Sequence, residues 1–341
     1  MKLHGLARVK NEGDVVEEFV RHNLEYLDAL TVVDNASLDG TLSVLQALRE
    51  EGLPVTILHD STVPKWQHRI MTQLARQMAA ERDWDYLFLL DADEFLKVAD
   101  RGVLEKSLSA LSPGENGLLP LLTYVPTAHD PADEPRLLGR IRHRRAVEAD
   151  PPFYKVVVSR DFATGGEFTI SQGNHSAHGV DGEAPAAILA EAALAHFPVR
   201  SLTQIQGKAL LGWGAYLAMG YGVGESGWHQ RRLFDRLEST PTWTVDDLYA
   251  IALRYSDVGT SLDEIPIAFD PLVPGPVWRH ADVSIQSPMQ IAARYVRQLA
   301  GALARCEAAR GSDLPDQDVP EKFEREDEQL APAEKEKKPP V

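Results

Sequence analysis

The sequence predicts an α/β fold: a Rossmann-like, mostly parallel central sheet flanked by helices, with a helical C-terminal region. Three observations carry this. Short apolar runs alternate with helical patterns over the first hundred residues, the run at 84–90 (WDYLFLL) is apolar nearly throughout, and polar residues follow directly on the strand candidates. Alternation of this kind implies parallel strands joined by crossover helices, and a strand apolar on both faces belongs at the centre of such a sheet.

The elements follow in order. Residues 3–9 (LHGLARV) read as a strand, and the next helix places Val15, Val16, Phe19, Val20, Leu24 and Leu27 on one face, with Asn11 or Asp14 as its cap. A strand at 29–33 (ALTVV) ends in the turn DNASLDGT, after which Leu42, Leu45 and Leu48 mark a second helix. A third strand at 54–58 (PVTIL) precedes a helix carrying Trp66, Ile70, Leu74 and Met78 at intervals of four. The fourth strand is 84–90, and 154–159 (YKVVVS) reads as a further one. Residues 202–218, 228–237, 245–255 and 288–309 show helical apolar spacing. The expected organisation is a nucleotide-binding and catalytic core over 1–200, a helical acceptor-side region over 201–312 and a disordered charged tail over 313–341. That tail holds ten acids, five bases and five prolines.

Composition narrows the function. The chain has 341 residues, with 35 Lys and Arg against 51 Asp and Glu, a net charge of −16. An acidic surface repels phosphate backbones, so nucleic acid is not an expected partner. The single cysteine, Cys306, permits no intramolecular disulfide, the N-terminus lacks the apolar core of a secretion signal, and the uncharged stretch 209–224 is too short and glycine-rich to span a bilayer. These features predict a cytoplasmic protein.

In a parallel sheet, ligands bind at the carboxyl ends of the strands. There this chain carries Lys10, Asn11 and Glu12, then Asp34, Asn35, Ser37 and Asp39, then Asp91, Asp93 and Glu94. Asp91 and Asp93 point to one side if the chain stays extended, which suits shared coordination of a hard divalent cation. The competing reading is that these acids cap the next helix. Asp39 fits a turn ahead of a helix at least as well as a ligand contact.

The segments RVKNEGDVVEEFVRHN, VVDNASLDGT and WDYLFLLDADEF resemble, in order and spacing, the glycosyltransferase family 2 pattern on a GT-A fold. The DADEF form, the later LAHFPVRS and Lys208 are more similar to its bacterial family-2-like branch and the related family 92 enzymes. The resemblance is strong over residues 1–100 and patchy to about 230. It implies a metal-dependent transfer of a sugar, with inversion, from a nucleotide-sugar donor (a UDP-sugar first) to a glycan or glycolipid acceptor. Such an enzyme works in the cytoplasm and is compatible with peripheral association at the inner face of a membrane.

By the same resemblance Arg8, Lys10, Asn11 and Glu12 line the nucleotide pocket, Asp34 and Asn35 meet the base or ribose, and Asp91 holds the ribose or a metal water. The family pattern has two acids where this chain has Asp34 and Asn35. Asp93 is the principal ligand of Mn²⁺ or Mg²⁺, and His196 reaches the same ion; imidazole favours manganese. The alternative for His196 is a structural histidine. Gln67 and Arg69 lie near a helix N-terminus, where phosphate contact is plausible. Glu94 is the first candidate for the base that deprotonates the acceptor, with Asp161 the weaker alternative and Asp181 and Glu225 still open. His175 and His178, in the glycine-rich turn GNHSAHG, are expected to touch the acceptor or the diphosphate rather than to pack in the core, whereas Trp213, Tyr216, Tyr221 and Trp228 are expected to stack on a sugar ring of the acceptor or to pack in the core. The basic run RIRHRR (140–145) reads as a solvated strand face.

Two other enzyme classes fit less well. LDGTL and DADEF echo haloacid dehalogenase phosphatases, but Ser37 stands where the partner Asp is needed and Phe95 where Thr or Val is expected. A nucleotidyltransferase shares paired carboxylates and metal, yet VKNEGDVV is a poor phosphate loop. A non-catalytic nucleotide-sugar binder is the remaining alternative.

Overall fold

A computed structural model describes residues 1–311 except 64–65, 82, 132, 149–151, 219–226, 241, 256–264, 276–278 and 281–287. Tyr221 and Glu225, and the tail at 313–341, lie outside the described residues.

The first half alternates as expected: β1 (Leu3–Val9), α1 (Val16–Asn23), β2 (Ala29–Asp34), α2 (Thr41–Glu50), β3 (Val55–His59), α3 (Gln67–Glu81) and β4 (Tyr86–Leu90). These four strands pair in parallel, β1 lying between β2 and β4 with β3 outside β2. Leu3, Leu6, Leu30, Leu87 and Phe88 are fully buried, as central strands covered on both faces require.

The chain then runs through β5 (Glu94–Val98), α4 (Arg101–Ser109), β6 (Asn116–Val125), α5 (Leu137–Arg140), β7 (His143–Arg145), β8 (Tyr154–Ser159) and α6 (Arg160–Thr164). Next come β9 (Thr169–Ile170), a tight 3-10 turn at Gln172–Asn174, β10 (Ala177–Gly179), β11 (Gly182–Glu183), β12 (Ala186–Ile188) and β13 (Ala192–His196). Strands β8, β6, β7 and later β14 (Ile267–Phe269) extend the sheet beyond β4 by antiparallel pairing. Strand β13 joins β6 in parallel and β5 antiparallel, bridging the second half back to the turn after β4. β9, β10 and β11 form a separate small sheet.

Helices α7 (Leu202–Leu217), α8 (Trp228–Ser239), α9 (Val245–Leu253) and α10 (Pro288–Gly311) complete the described chain. Ser201 caps α7 by accepting from the Gln204 N–H, and Thr244 with Asp247 forms a reciprocal capping box on α9. The first helix differs from expectation. Neither Asn11 nor Asp14 caps it: the Glu12 carbonyl takes the Val16 N–H, and the Asp14 side chain is drawn away to Arg200. Residues Met1–Arg297 form one compact unit and Gln298–Val341 another. No described helix is long and apolar enough to cross a membrane.

The RIRHRR segment is not a solvated face. Arg144 is ion-paired with Asp270 at 2.6 Å, and Arg145 is 2% exposed and donates to the Ala252 carbonyl at 3.2 Å. The backbone of β7 pairs with β6 on one side and β14 on the other.

Candidate active site

The loops after β1 and β2 lock together. Asn11 adopts a left-handed conformation (φ 55°), from which its side chain accepts the Leu38 N–H at 2.6 Å while its own N–H donates to Ser37 Oγ at 2.9 Å. Asp39 in turn accepts the Gly13 N–H at 3.0 Å. Asn35 donates its side-chain N–H group to the Asp60 carbonyl, Asp60 Oδ2 and the Thr62 carbonyl. Three acceptors surround that nitrogen, so an aspartate here would face them with repulsive lone pairs. This accounts for an amide where the family pattern has a second acid. Arg8 balances Asp60 at 2.7 Å, and Lys10 donates to the Asn35 carbonyl at 2.9 Å. Burial, then the neighbouring Arg8, pushes Lys10 down to about 8.

After β4 the chain does not stay extended. The Glu94 N–H donates to the Asp91 carbonyl at 3.1 Å, closing a tight turn that sends the acids of DADE in different directions. Asp91 turns toward Lys155 of β8 (2.6 Å) and Gln67 of α3 (3.0 Å). Asp93 turns toward β13 and α7, where it meets Lys208 at 3.0 Å, Arg200 at 3.7 Å and His196 at 3.8 Å. Glu94 is 1% exposed; its Oε1 lies 3.0 Å from Lys155 and its Oε2 accepts the Asp91 N–H at 2.9 Å. Among the described residues, the oxygen and nitrogen donors that converge, all within 4.8 Å of one another, are those of Asp93, Glu94 and His196.

Burial raises the Asp93 carboxyl, but Lys208, His196 and Arg200 outweigh it and hold the group ionised far below the usual range. His196 is pushed down to about 4, chiefly by burial, so its ring is neutral at pH 7 with a lone pair available. Burial pushes Glu94 up to about 8 against the pull of Lys155, and Glu12 up to about 7 against Arg200. Lys155, Lys208 and Arg200 are also buried, yet the surrounding carboxylates keep each more firmly protonated than usual. Arg200 binds Glu12 at 2.5 Å and Asp14 at 2.8 Å. Five acids (Glu12, Asp14, Asp91, Asp93, Glu94) thus surround three bases, and an arriving divalent cation would favour the ionised form of Glu94. One ionised carboxylate, one further carboxyl and a neutral imidazole make a donor set suited to Mn²⁺.

These groups open onto one cavity of about 1000 Å³ at the carboxyl ends of β1, β2 and β4, closed on its far side by α7 and α8. Of the residues singled out in the sequence, Arg8, Lys10, Asn11, Glu12, Asn35, Asp91, Asp93, Glu94, His175 and His196 line it. Others do not. Asp34 lies behind the wall, accepting the Ser37 N–H, and Arg69 stacks over Trp66. Asp161 sits in the first turn of α6, near Asp85 and Tyr86 at the opposite end of the sheet, because β8 runs antiparallel to β4. His178 belongs to the small sheet and is bonded to Ser176; Asp181 is exposed at the turn beside it. Trp213 is buried against Tyr216, whereas the exposed Trp228 does line the cavity.

Sequence reading missed Lys155 and Arg200. A lysine inside YKVVVS carries no motif, and the arginine of LAHFPVRS lies in a segment whose resemblance gives it no role; the pairing of β8 with β4, and of β13 with β5, brings them to the acids. The one available signal was a charge inside an otherwise apolar strand, which needs a buried partner.

No family model matches the chain, and no curated protein matches its sequence. Solved structures do match at low similarity. A mannosyltransferase, PcManGT from Pyrobaculum calidifontis, in complex with GDP-Man and Mn²⁺, is 15% identical over 77% of this chain and 76% of its own, with a TM-score of 0.37. TarS 1–349 of S. aureus is 11% identical over 75% and 82%, with a TM-score of 0.34; against a longer TarS chain the match spans 44% of that chain. Glucosyl-3-phosphoglycerate synthase from Mycobacterium tuberculosis, in complex with Mn²⁺, UDP and glucosyl-3-phosphoglycerate, is 15% identical over 35% and 43%, with a TM-score of 0.23. At this degree of likeness, function rests on the geometry of the site itself.

Proposed function

We propose that this chain is a metal-dependent glycosyltransferase that moves a sugar from a nucleotide-sugar donor, a UDP-sugar first, to a glycan or glycolipid acceptor with inversion. The observation that carries the reading is the Asp93, Glu94 and His196 donor set, ringed by Lys208 and Arg200, at the strand ends of a parallel sheet and inside a cavity large enough for a donor and part of an acceptor.

The roles follow from the chemistry of each group. Asp93, Glu94 and His196 would hold Mn²⁺ or Mg²⁺. When bound, the ion neutralises charge on the departing diphosphate. Lys208 bonds to Asp93 and lines the cavity, so its ammonium supports the same charge from the protein side. Lys10, Asn11 and Asn35 form the floor under the nucleoside, and Lys155 holds Asp91 and Glu94 in place. Apart from Lys208, these groups lie in residues 1–200, and 201–312 supply the facing helices with Lys208, Trp228 and Tyr216. A cytoplasmic location, with peripheral attachment at a membrane face for a lipid-linked acceptor, belongs to this reading.

Calorimetric titration of UDP and of GDP, with and without Mn²⁺, tests it on the wild type and on Asp93→Ala. Manganese-dependent binding of UDP that disappears in the variant supports the proposal, with circular dichroism checking that the variant is folded. No binding of either nucleotide under either condition overturns it.

A further inference from the structure

Displacement at a sugar carbon by a hydroxyl needs a group that accepts the hydroxyl proton, and the carboxylates of the cavity are engaged with other groups, the exposed Asp133 excepted. Glu12 is held by Arg200, Asp91 by Lys155 and Gln67, Asp93 by Lys208, Glu94 by Lys155 and a backbone N–H, and Glu148 by the N–H and hydroxyl of Thr123. His175 stands apart from them. Its Nδ1 lies 2.7 Å from the Tyr154 carbonyl, an acceptor only, so Nδ1 carries the hydrogen and Nε2 the lone pair. The ring is steadied by Phe153, with centroids 5.5 Å apart, and by the Ser171 hydroxyl, which accepts the His175 N–H at 3.1 Å. Nε2 has no hydrogen-bond partner among the described residues and lies over Gly173, where a Cβ would come within 2.5 Å of it. Gly173, at φ 79°, leaves that nitrogen uncovered on the wall of the same cavity that holds Asp93 and His196.

We propose that His175 Nε2 is the general base that takes the proton of the acceptor hydroxyl, an assignment that rests on the transferase reading above. The hydroxyl oxygen forms the new bond to the anomeric carbon as the bond from that carbon to the diphosphate oxygen breaks with its electron pair. The proton passes to Nε2, and the resulting imidazolium returns it to solvent after product leaves. A fixed tautomer with a bare nitrogen is the state such a base needs. Burial, and then the charge of Lys155, keeps the ring neutral at pH 7, against opposing pulls from the Tyr154 carbonyl and Asp91.

The test uses the full chain and measures release of UDP or GDP from a panel of UDP- and GDP-hexoses, first with water and then with p-nitrophenyl glycosides as acceptors. His175→Gln retains an amide N–H for the Tyr154 carbonyl and removes the base. His175→Ala opens a space the size of the lost ring. We expect kcat to fall about 100-fold or more in both, in the range general-base catalysis contributes. Donor KM and nucleotide affinity stay within about twofold, and added imidazole restores part of the activity of His175→Ala only. A variant with unchanged kcat, or one whose defect is confined to donor KM, overturns the base assignment and leaves the transferase intact. A wild type that releases nucleotide from no donor overturns the transferase reading and the base with it. Nitrogen NMR of the histidine rings gives a second readout: hydrogen on Nε2 of His175 at pH 7 also overturns the assignment.

Discussion

His196 Nε2 stands 3.8 Å from Asp93 Oδ1, and the backbone bearing it is tied to the same turn, since the Phe197 N–H donates to the Asp93 carbonyl at 2.8 Å. His196 also pairs directly with Glu94 across the β13 and β5 ladder. The ladder therefore fixes three donor side chains from two distant segments, whatever occupies the space between them. His196→Ala is expected to weaken manganese-dependent UDP binding about 10-fold or more, ~1.4 kcal/mol, and magnesium-dependent binding less, because imidazole prefers the softer ion. Paired titrations with the two metals check this. Equal losses for both ions, or none, would remove His196 from the donor set.

Metal affinity should climb with pH. With no ion bound, burial pushes Glu94 up to about 8, so at pH 6 it carries a proton that an arriving cation must expel. As pH passes that value the competition disappears, and affinity gains accordingly. Titrating Mn²⁺ in two buffers of different ionisation enthalpy at pH 6.5, 7.5 and 9 reads the proton release, which should be largest at the lowest pH and vanish at the highest. Release that is flat across this range contradicts the assignment of Glu94 to the ion.

Lys155 is buried between Asp91 and Glu94, and nothing else on β8 balances them. Lys155→Met retains much of the side-chain volume and leaves two uncompensated acids, a loss of about 3–5 kcal/mol by analogy with broken buried ion pairs. The penalty should shrink as pH falls below about 8, where the buried Glu94 carboxyl takes up a proton. Urea unfolding at pH 8 and pH 5.5 measures the difference, and a variant as stable as the wild type at pH 8 would show that Lys155 does not balance these charges.

The strand-end acids were legible because each sits one or two residues beyond an apolar strand, so local pattern alone puts Lys10, Asn35 and Asp91 on one edge. The alternation up to Leu90 was legible for the same reason. What the pattern could not supply was the direction of each side chain within DADE. An extended chain aims Asp91 and Asp93 together, whereas the 3.1 Å bond from the Glu94 N–H to the Asp91 carbonyl turns the segment, so that Glu94 comes within 4.8 Å of Asp93 and His196. The contributions of Lys155, Arg200 and Arg145 depend on antiparallel pairings and side-chain contacts between segments far apart in sequence. Asp161 looked equivalent to other acids until the direction of β8 put it at the wrong end of the sheet.

Glu18 supplies a prediction about stability that is independent of the active site. It is 4% exposed on α1, and its two oxygens accept the N–H groups of Leu137 and Leu138, at 2.7 and 3.2 Å, where the short α5 begins. Burial raises its carboxyl to about 7, outweighing those donors and Arg136. The folded protein therefore holds a proton that the unfolded chain, titrating near 4.3, releases earlier. The sign follows from linkage: the native state binds more protons between these values, so this residue's contribution is complete below about 4.3 and is lost as pH rises through about 7, on the order of 3 kcal/mol in all. Glu18→Gln does not titrate, but its amide offers only one acceptor for two donors, a cost of about 1 kcal/mol. The variant should accordingly be less stable than the wild type at pH 4.5 and equal or more stable at pH 8. Urea midpoints at the two pH values decide it, because a difference that stays constant with pH would mean that Glu18 is ionised in the folded protein throughout and that its two backbone donors, rather than its burial, set its charge.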